Sequence, residues 1–203
     1  MEIVLASRNK GKIRELRELL SETLGDSVIV KSLDDINFSD EIIEDGKTFE
    51  ENAMIKARAI SRLGYIGVGD DSGLSVSALD GAPGIYSARY AGEHGNDDAN
   101  NNKLLSELDG KENREASFVC AVACSFPDGS GYEDFVVRGE CKGYILHEKQ
   151  GKGGFGYDPL FYSPEAGKSF AELTDAEKNS LSHRGRAMRK FAERIKKYII
   201  TEN

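Results

Sequence analysis

The order of strand-like and helix-like segments constrains the fold of this chain more than any other feature of its sequence. In the N-terminal third, apolar runs typical of buried strands (Met1–Ala6, Ser27–Leu33 and Tyr65–Asp70) alternate with segments of helical apolar spacing. From Arg114 to Leu146 the pattern changes to strand-like runs, and the turn signal "PDGSG" joins the first two of them. Alternation followed by a cluster of strands predicts an α/β fold with a mixed sheet, partly parallel and partly antiparallel.

Length and charge limit the class of protein. A chain of 203 residues is typical of one domain with a sizeable core, here residues 1–203. The net charge of −8 disfavours non-specific binding to nucleic acid or to an anionic membrane, since both require a basic surface. No apolar run approaches the ~20 residues of a membrane span, and the first residues do not resemble a signal peptide. We expect a cytoplasmic protein whose three cysteines are buried, inert thiols.

Two adjacent aspartates, Asp70 and Asp71, stand at the expected end of the third strand. The Ser-Gly pair after them predicts a turn before a further strand at Leu74–Leu79. Alternation along a regular strand places the two carboxylates on opposite faces, and Asp71 shares its face with Gly67 and Gly69. Because glycines leave that face open, we expect Asp71 to point into a cleft. A hard cation there could also bind Glu44 or Asp45 of the acidic loop, residues 34–46. The alternative is a pair of solvated turn aspartates.

The segment Ser7–Lys12, "SRNKGK", lies between the first predicted strand and a helix that Gly25 closes. Backbone N–H groups at a helix N-terminus bind anions, and Lys12 adds a full positive charge, so a phosphate fits there. An ordinary strand–helix turn that uses Asn and Gly for its geometry explains the segment equally well. It is not a P-loop, because the pattern G-x-x-x-x-G-K-[ST] is absent from the sequence.

Two later motifs suggest recognition of a flat ring. The segment Gly151–Gly156, "GKGGFG", formally matches G-x-G-x-x-G, but "YDPLF" follows it where a dinucleotide-binding fold needs a helix. A glycine-rich loop that presents Phe155 to a ring is the better functional interpretation, and a flexible surface loop is the alternative. "SHRGR" is predicted to begin the last helix, where His183 and Arg184 can donate hydrogen bonds to a ring oxygen or a phosphate. The alternative there is a helix start followed by a solvated basic face.

Five segments in this order resemble the pyrophosphatases of noncanonical purine nucleoside triphosphates, the inosine triphosphatase/RdgB family. They are "SRNKGK", "EDGKTFEENAMIKA", "DDSGLSVSALDGAPGIYSARYAG", "GFGYDPLF" and "AELTDAEKNSLSHRGRA", and together they extend over the chain. The resemblance implies an ITPase-like fold of two α/β lobes around a long mixed sheet flanked by helices, with the substrate in a central cleft. It also implies hydrolysis of ITP, dITP or XTP to the monophosphate and pyrophosphate, a Mg²⁺ cofactor and a homodimer.

The same resemblance assigns roles to residues of this chain. It implies that Asp71 is the general base and a metal ligand, with Asp70 as a supporting catalytic carboxylate. The residues implied to hold the phosphates are Ser7, Arg8, Asn9, Lys10, Gly11 and Lys12. Ser72 is implied to lie beside the substrate, and the residues implied to hold the base and phosphate are Phe155, Gly156, Tyr157, Asp158, Lys178, His183 and Arg184. For the second metal ligand we choose Glu44, although many relatives carry an acidic residue where Ile43 stands here.

Two other functions fit parts of this pattern. One is a Maf-type nucleotide pyrophosphatase with other substrates, which the "SHR" and "GFGYDP" motifs disfavour. The other is a nucleotide-binding protein without catalysis, which the intact "DDSG" disfavours. Only an enzyme releases pyrophosphate, so one assay separates it from a binding protein.

Overall fold

The computed structural model describes residues 1–200, except for the side chains at positions 26, 199 and 200. The chain forms two compact units. Of the described residues, the first contains Met1–Asp71, Ala121–Arg138 and 187–200, and the second contains Ser72–Cys120 and Gly139–Arg186. The assignment of the whole chain to one domain stays a prediction.

Within the described residues, seven strands and five α-helices follow one another along the chain. They are β1 (Glu2–Leu5), α1 (Lys10–Leu24), β2 (Ile29–Lys31), α2 (Phe49–Ser61), β3 (Ile66–Val76), α3 (Asp97–Glu107), β4 (Glu115–Ser125), β5 (Phe135–Ile145), β6 (Phe161–Ser163), β7 (Lys168–Ser169), α4 (Asp175–Leu181) and α5 (His183–Ile200). The predicted alternation of strands and helices, followed by a cluster of strands, is confirmed.

The strands form one mixed sheet in the order β2-β1-β3-β4-β5-β6-β7. In the first unit, β1 pairs in parallel with β2 and with β3. In the second unit, β6 pairs antiparallel with β5 and with β7. The predicted α/β class and the mixed sheet are therefore confirmed.

Strand β3 extends from Ile66 to Val76 without a break, so the predicted turn at the Ser-Gly pair and the separate strand expected at Leu74–Leu79 are wrong. Strand β5 is likewise continuous through Gly139, from Phe135 to Ile145. Both strands have a neighbour on each side in the sheet. Pairing on both edges overrides the local preference of Ser and Gly for a turn.

Side-chain caps define where helices α1, α2 and α4 begin. Asn9 is the N-cap of α1, and its Oδ1 accepts a backbone hydrogen bond of 3.1 Å from the first turn. Thr48 caps α2 by accepting from the Glu51 N–H, and Thr174 and Glu177 form a capping box at α4. Such a cap is worth about 1 kcal/mol, so one polar residue ahead of each helix defines where it starts.

Helix α2 packs directly on the face of the sheet that Gly67 and Gly69 of β3 occupy. This contact explains why both positions are glycine. A Cβ atom at Gly67 would overlap the carbonyl oxygen of Ala57, and a Cβ atom at Gly69 would overlap that of Ala53. The expectation that these glycines leave an open face is therefore wrong. They permit a close helix–sheet contact, and Asp71 on the same face lies beside α2.

We expect Gly67→Ala to lower the free energy of unfolding by about 2–4 kcal/mol, because the new methyl group overlaps backbone rather than a flexible side chain. Gly64→Ala is the control: its Cβ would meet no atom within 4 Å, and its cost is only the strain of a φ of +88°. Urea unfolding of both variants measures the difference. Equal stability of the two variants would contradict the close packing of α2 on β3.

The prediction that the cysteines are buried thiols is confirmed. All three cysteines are free and buried, as predicted. Burial raises the pKa of the Cys124 and Cys141 thiols, which keeps them protonated and unreactive. Within residues 1–200, no helix combines the length and the apolar character that crossing a membrane requires.

Candidate active site

The SRNKGK segment forms the turn between β1 and α1 in the first unit. Ser7 Oγ accepts a hydrogen bond of 3.1 Å from the Asn9 N–H, and Asn9 Oδ1 accepts one of 3.1 Å from the Lys12 N–H. Arg8 Nη2 donates to the carbonyl oxygen of Phe38 at 2.7 Å, so this guanidinium is tied to the acidic loop. The turn is therefore shaped by its own polar side chains before any ligand binds.

The first turn of α1 brings one cation to a buried carboxylate. Lys10 and Gly11 open the helix, and their N–H groups belong to its N-terminal turn, which carries the positive end of the helix dipole. Lys12 Nζ lies 2.7 Å from Oδ2 of Asp70, whose side chain is 1% exposed. This burial favours a supporting role for Asp70, which holds Lys12 in place.

Asp71 lies on the opposite face of β3, as strand alternation predicts, and two side chains of α2 hold it. Its Oδ2 accepts a hydrogen bond of 3.2 Å from Asn52 Nδ2, and its Oδ1 lies 3.5 Å from Lys56 Nζ. The side chain is 16% exposed, so a water molecule can reach it. Lys56 Nζ also donates to Glu44 Oε2 at 2.7 Å, which brings Glu44 to the same ammonium group as Asp71.

Burial and neighbouring charges make the Asp71 carboxylate more basic than an exposed one. Burial raises its pKa above the usual range, and the carboxylates of Glu44 and Asp70 act in the same direction. The Lys56 ammonium and the hydrogen bond from Asn52 offset part of this effect. Burial also works against the charged form of Lys56, but the three carboxylates around it raise its pKa above the ordinary value, so it stays charged.

Asn52 and Lys56 were not predicted from the sequence, although α2 contains a signal for them. Both lie at helical spacing on the buried stripe that includes Ala53 and Ala57, and they are 3% and 9% exposed. A polar side chain on a buried stripe needs a partner, because burying it without one is costly. That pattern could have identified both residues.

The side chains of Asp70, Asp71, Glu44, Lys12 and Lys56 form a charged cluster. This cluster supplies part of the ligand set of a hard divalent cation. Glu44 and Asp71 offer oxygen ligands, but the described residues contain no group of three or more His, Cys, Asp or Glu side chains that could hold a metal ion. Mg²⁺ is commonly held by one or two carboxylates together with substrate phosphates. The cluster is also negative, because the carboxylates of Asp70, Asp71 and Glu44 outnumber the ammonium groups of Lys12 and Lys56. Both features fit a cation that binds with an anionic substrate.

In the second unit, the glycine-rich segment forms a turn that leaves the Phe155 side chain 63% exposed. Strand β6 follows this segment, and no helix begins there, which excludes the dinucleotide-binding fingerprint. The buried Asp158 carboxylate accepts the Phe155 N–H at 2.8 Å. Gly154 has a φ of +73°, and a Cβ atom there would overlap Asp158, so this tight turn requires glycine.

Lys178 of α4 joins this loop. Its Nζ lies 4.2 Å from the centroid of the Phe155 ring and donates to Asp158 Oδ2. A cation–π contact and an ion pair together hold the ammonium against the ring. Phe155, Asp158 and Lys178 therefore form one group, which combines an exposed flat ring with a hydrogen-bond donor.

Gly156 and Tyr157, both predicted to bind substrate, form hydrogen bonds within the protein. The Gly156 N–H donates to Asp97 Oδ2 at 2.7 Å, and its carbonyl oxygen accepts from Asn101 Nδ2 at 2.8 Å. Tyr157 is 4% exposed, and its hydroxyl donates to the carbonyl oxygen of Ser87 at 2.9 Å. Both residues support the Phe155 loop from inside the unit, and their roles in substrate binding stay predictions.

His183 and Arg184 are the first two residues of α5, as the sequence predicts. The His183 ring stacks on Phe118 with the centroids 4.8 Å apart. Arg184 Nη2 donates to Ser72 Oγ at 3.3 Å, which fixes the guanidinium relative to strand β3. These contacts orient two hydrogen-bond donors at the start of the helix.

Comparison with known proteins gives consistent matches over nearly the whole chain. A family model described as the Ham1 family matches residues 3–194. A Bacillus anthracis protein named dITP/XTP pyrophosphatase is 48% identical over 204 residues, and the match covers 99% of each chain. A Bacillus subtilis protein of the same name is 48% identical over 195 residues, covering 95% of this chain and 96% of its own.

Solved structures agree with the sequence matches. The Staphylococcus aureus Ham1 protein is similar with a TM-score of 0.89 and 40% identity, covering 98% of this chain and all of its own. A Mycobacterium abscessus protein titled nucleoside-triphosphatase and dITP/XTP pyrophosphatase has a TM-score of 0.79 and 44% identity, covering 94% of this chain and 97% of its own.

Proposed function

The chain belongs to the Ham1 family, and we propose on that premise that it hydrolyses noncanonical purine nucleoside triphosphates to the monophosphate and pyrophosphate. It is a hydrolase that removes nucleotides such as dITP and XTP from the nucleotide pool. The observation that carries this proposal is the Asp71 carboxylate, which α2 holds beside Lys56 and Glu44 in a cluster of charged groups.

The first unit contains the groups suited to a triphosphate. The N-terminus of α1 offers backbone N–H groups, and Lys12 and Lys56 offer ammonium groups that can bind phosphate oxygens. Asp70 and Glu44 hold these two ammonium groups before substrate arrives. Donors fixed in advance stabilise the charge that develops in the transition state with little reorganisation.

Asp71 orients the attacking water and accepts its proton. Its raised pKa, which results mainly from burial, makes it a stronger base than an exposed aspartate. Water attacks the anhydride between the α- and β-phosphates, the bond to the bridging oxygen breaks, and pyrophosphate leaves.

We include Mg²⁺ as the cofactor, with Asp71 and Glu44 as its protein ligands. When bound, it neutralises phosphate charge and polarises a phosphoryl oxygen. The excess of carboxylates over ammonium groups in the cluster supports this assignment, because the cluster alone would repel a triphosphate. A homodimer, implied by the resemblance, and a cytoplasmic location, expected from the sequence, belong to the same proposal.

The second unit contains the groups suited to a purine base. The exposed Phe155 ring can stack on any purine, so it adds affinity without selecting the base. Donors from Arg184, His183 or a backbone N–H would bind the 6-oxygen of hypoxanthine and xanthine. Adenine presents an amino group at that position, and a buried donor left without an acceptor costs about 1–3 kcal/mol. Guanine keeps the oxygen but adds a 2-amino group, which a donor or lack of room near position 2 would exclude.

We expect kcat/KM for ITP, dITP and XTP to exceed kcat/KM for ATP and GTP, by up to about 10⁴-fold, because sites built on polar pairing discriminate strongly. A nucleotide panel with pyrophosphate detection measures the ratios. Arg184→Ala should narrow the difference between ITP and ATP, whereas Arg58→Ala, which only loses an ion pair with Asp134, should preserve it.

Each outcome of the panel points to a different function. Equal efficiency for ATP and ITP would overturn the specificity even if pyrophosphate were released. Pyrophosphate release from other nucleotides alone would favour a Maf-type enzyme. Nucleotide binding without pyrophosphate release would identify a binding protein.

A further inference from the structure

One buried amide connects the Asp71 carboxylate to the loop that carries Glu44. Asn52 Nδ2 donates to Asp71 Oδ2 at 3.2 Å, and Asn52 Oδ1 accepts the Gly46 N–H at 2.9 Å. The Asn52 side chain is 3% exposed. Lys56 is flanked by the carboxylates of Asp71 and Glu44. Asn52 binds Asp71 directly, and it holds Glu44 through Gly46, which lies two residues further along the loop.

The loop lies so close to α2 that residue 46 must be glycine. A Cβ atom at Gly46 would lie 2.6 Å from Asn52 Oδ1 and 2.8 Å from the Cβ atom of Glu51. The N–H of Gly46 reaches Asn52 only because the loop backbone contacts the first turn of the helix. The sequence "DGKTFEEN" therefore encodes a close contact between loop and helix as well as a helix start.

We propose that Asn52 is a positioning residue for the hydrolysis reaction. It fixes the rotation of the Asp71 carboxylate, so that Oδ2 faces the amide and Oδ1 faces Lys56, and it fixes the loop that carries Glu44. This inference rests on the proposed function, because the role of Asp71 in proton transfer is part of that function. A buried amide that served only the fold would need hydrogen-bond partners but not a carboxylate as one of them.

The first test compares Asn52→Ala with Asn100→Ala in pyrophosphate release from dITP. Asn100 is also a buried asparagine, but it accepts from the Ala91 N–H and donates to the Ala88 carbonyl oxygen, with no carboxylate involved. We expect Asn52→Ala to lower kcat by about 10- to 100-fold with KM nearly unchanged, as loss of an orienting partner does. Asn100→Ala should keep kcat. An equal loss of kcat in both variants would overturn the proposal.

The second test places Asn52→Ala in an Asp71→Asn background. The part of the Asn52 effect that acts through the Asp71 carboxylate is lost in that background, so the second substitution should lower the residual kcat by a clearly smaller factor than it lowers the wild-type kcat. A purely structural residue would lower kcat by the same factor in both backgrounds, and that additive result would contradict the proposal. Asn52→Asp retains an acceptor for Gly46 but presents a carboxylate to Asp71, so kcat should fall even though the loop stays attached.

The third test does not depend on activity. Amide hydrogen exchange at Gly46 should accelerate by about tenfold in Asn52→Ala, because its acceptor is removed, and should not change in Asn100→Ala. Unchanged exchange would exclude Asn52 as the anchor of the loop. If wild-type protein released no pyrophosphate from dITP or XTP, the proposed function would fail, while this measurement would still decide whether Asn52 holds the loop.

Discussion

Asp71→Asn should lower kcat for dITP and XTP by about 10²- to 10⁴-fold while the protein stays folded and still binds nucleotide. The amide keeps the shape of the side chain, and its oxygen can still accept the hydrogen bond from Asn52. It loses the negative charge that faces Lys56 at 3.5 Å and the basicity that proton transfer from water requires. Single-turnover pyrophosphate release, together with calorimetric titration of nucleotide, separates loss of chemistry from loss of binding.

The control for this substitution is Asp134→Asn in the same unit. Asp134 accepts an N–H hydrogen bond from the Phe126 backbone, where Asp71 accepts from the Asn52 side chain, and it pairs with a cation, Arg58 at 3.0 Å, so the change in charge is comparable. It lies outside the proposed site, and its kcat should stay within about twofold of wild type. Near-normal turnover of Asp71→Asn would remove Asp71 from the mechanism.

Removal of divalent cations should abolish pyrophosphate release, and added Mg²⁺ should restore it. The three carboxylates of the cluster outnumber its two ammonium groups, so a triphosphate meets net negative charge unless a cation binds with it. Glu44 and Asp71 offer only oxygen ligands, which suits Mg²⁺. Calcium should substitute poorly, because it prefers longer and more variable coordination.

Titration of Mg²⁺ into metal-free protein with dITP measures this requirement. Glu44→Gln should raise the Mg²⁺ concentration needed for half-maximal activity, by about tenfold or more, because one charged ligand is lost. Glu41→Gln is the control, since Glu41 is an exposed acid of the same loop. Full activity in excess chelator would exclude the cation from the proposal.

Several features of the fold follow from local sequence alone. Strand alternation placed Asp70 and Asp71 on opposite faces of β3, and the structure pairs them with different helices, α1 and α2. Residues of the N-cap type stand at the starts of α1, α2 and α4, and such a cap uses only residues a few positions apart. The order of strand-like and helix-like segments predicted the mixed sheet.

Other features depend on contacts between residues far apart in the chain. The turn signal at Ser72-Gly73 is overridden because β3 pairs on both edges, and the glycines before it admit a helix rather than leave an open face. Local sequence contains no information about which element will pack on a given face.

The pairing of Asp71 with Asn52, Lys56 and Glu44 could not be read from the sequence for the same reason. Asn52 and Lys56 are close to Asp71 only because α2 lies on β3, and Glu44 joins them only because its loop folds back onto the helix. The sequence determined which side chains are available and which face of an element each one occupies. Only the tertiary structure decided which of them meet, because close packing between elements distant in the chain sets those distances.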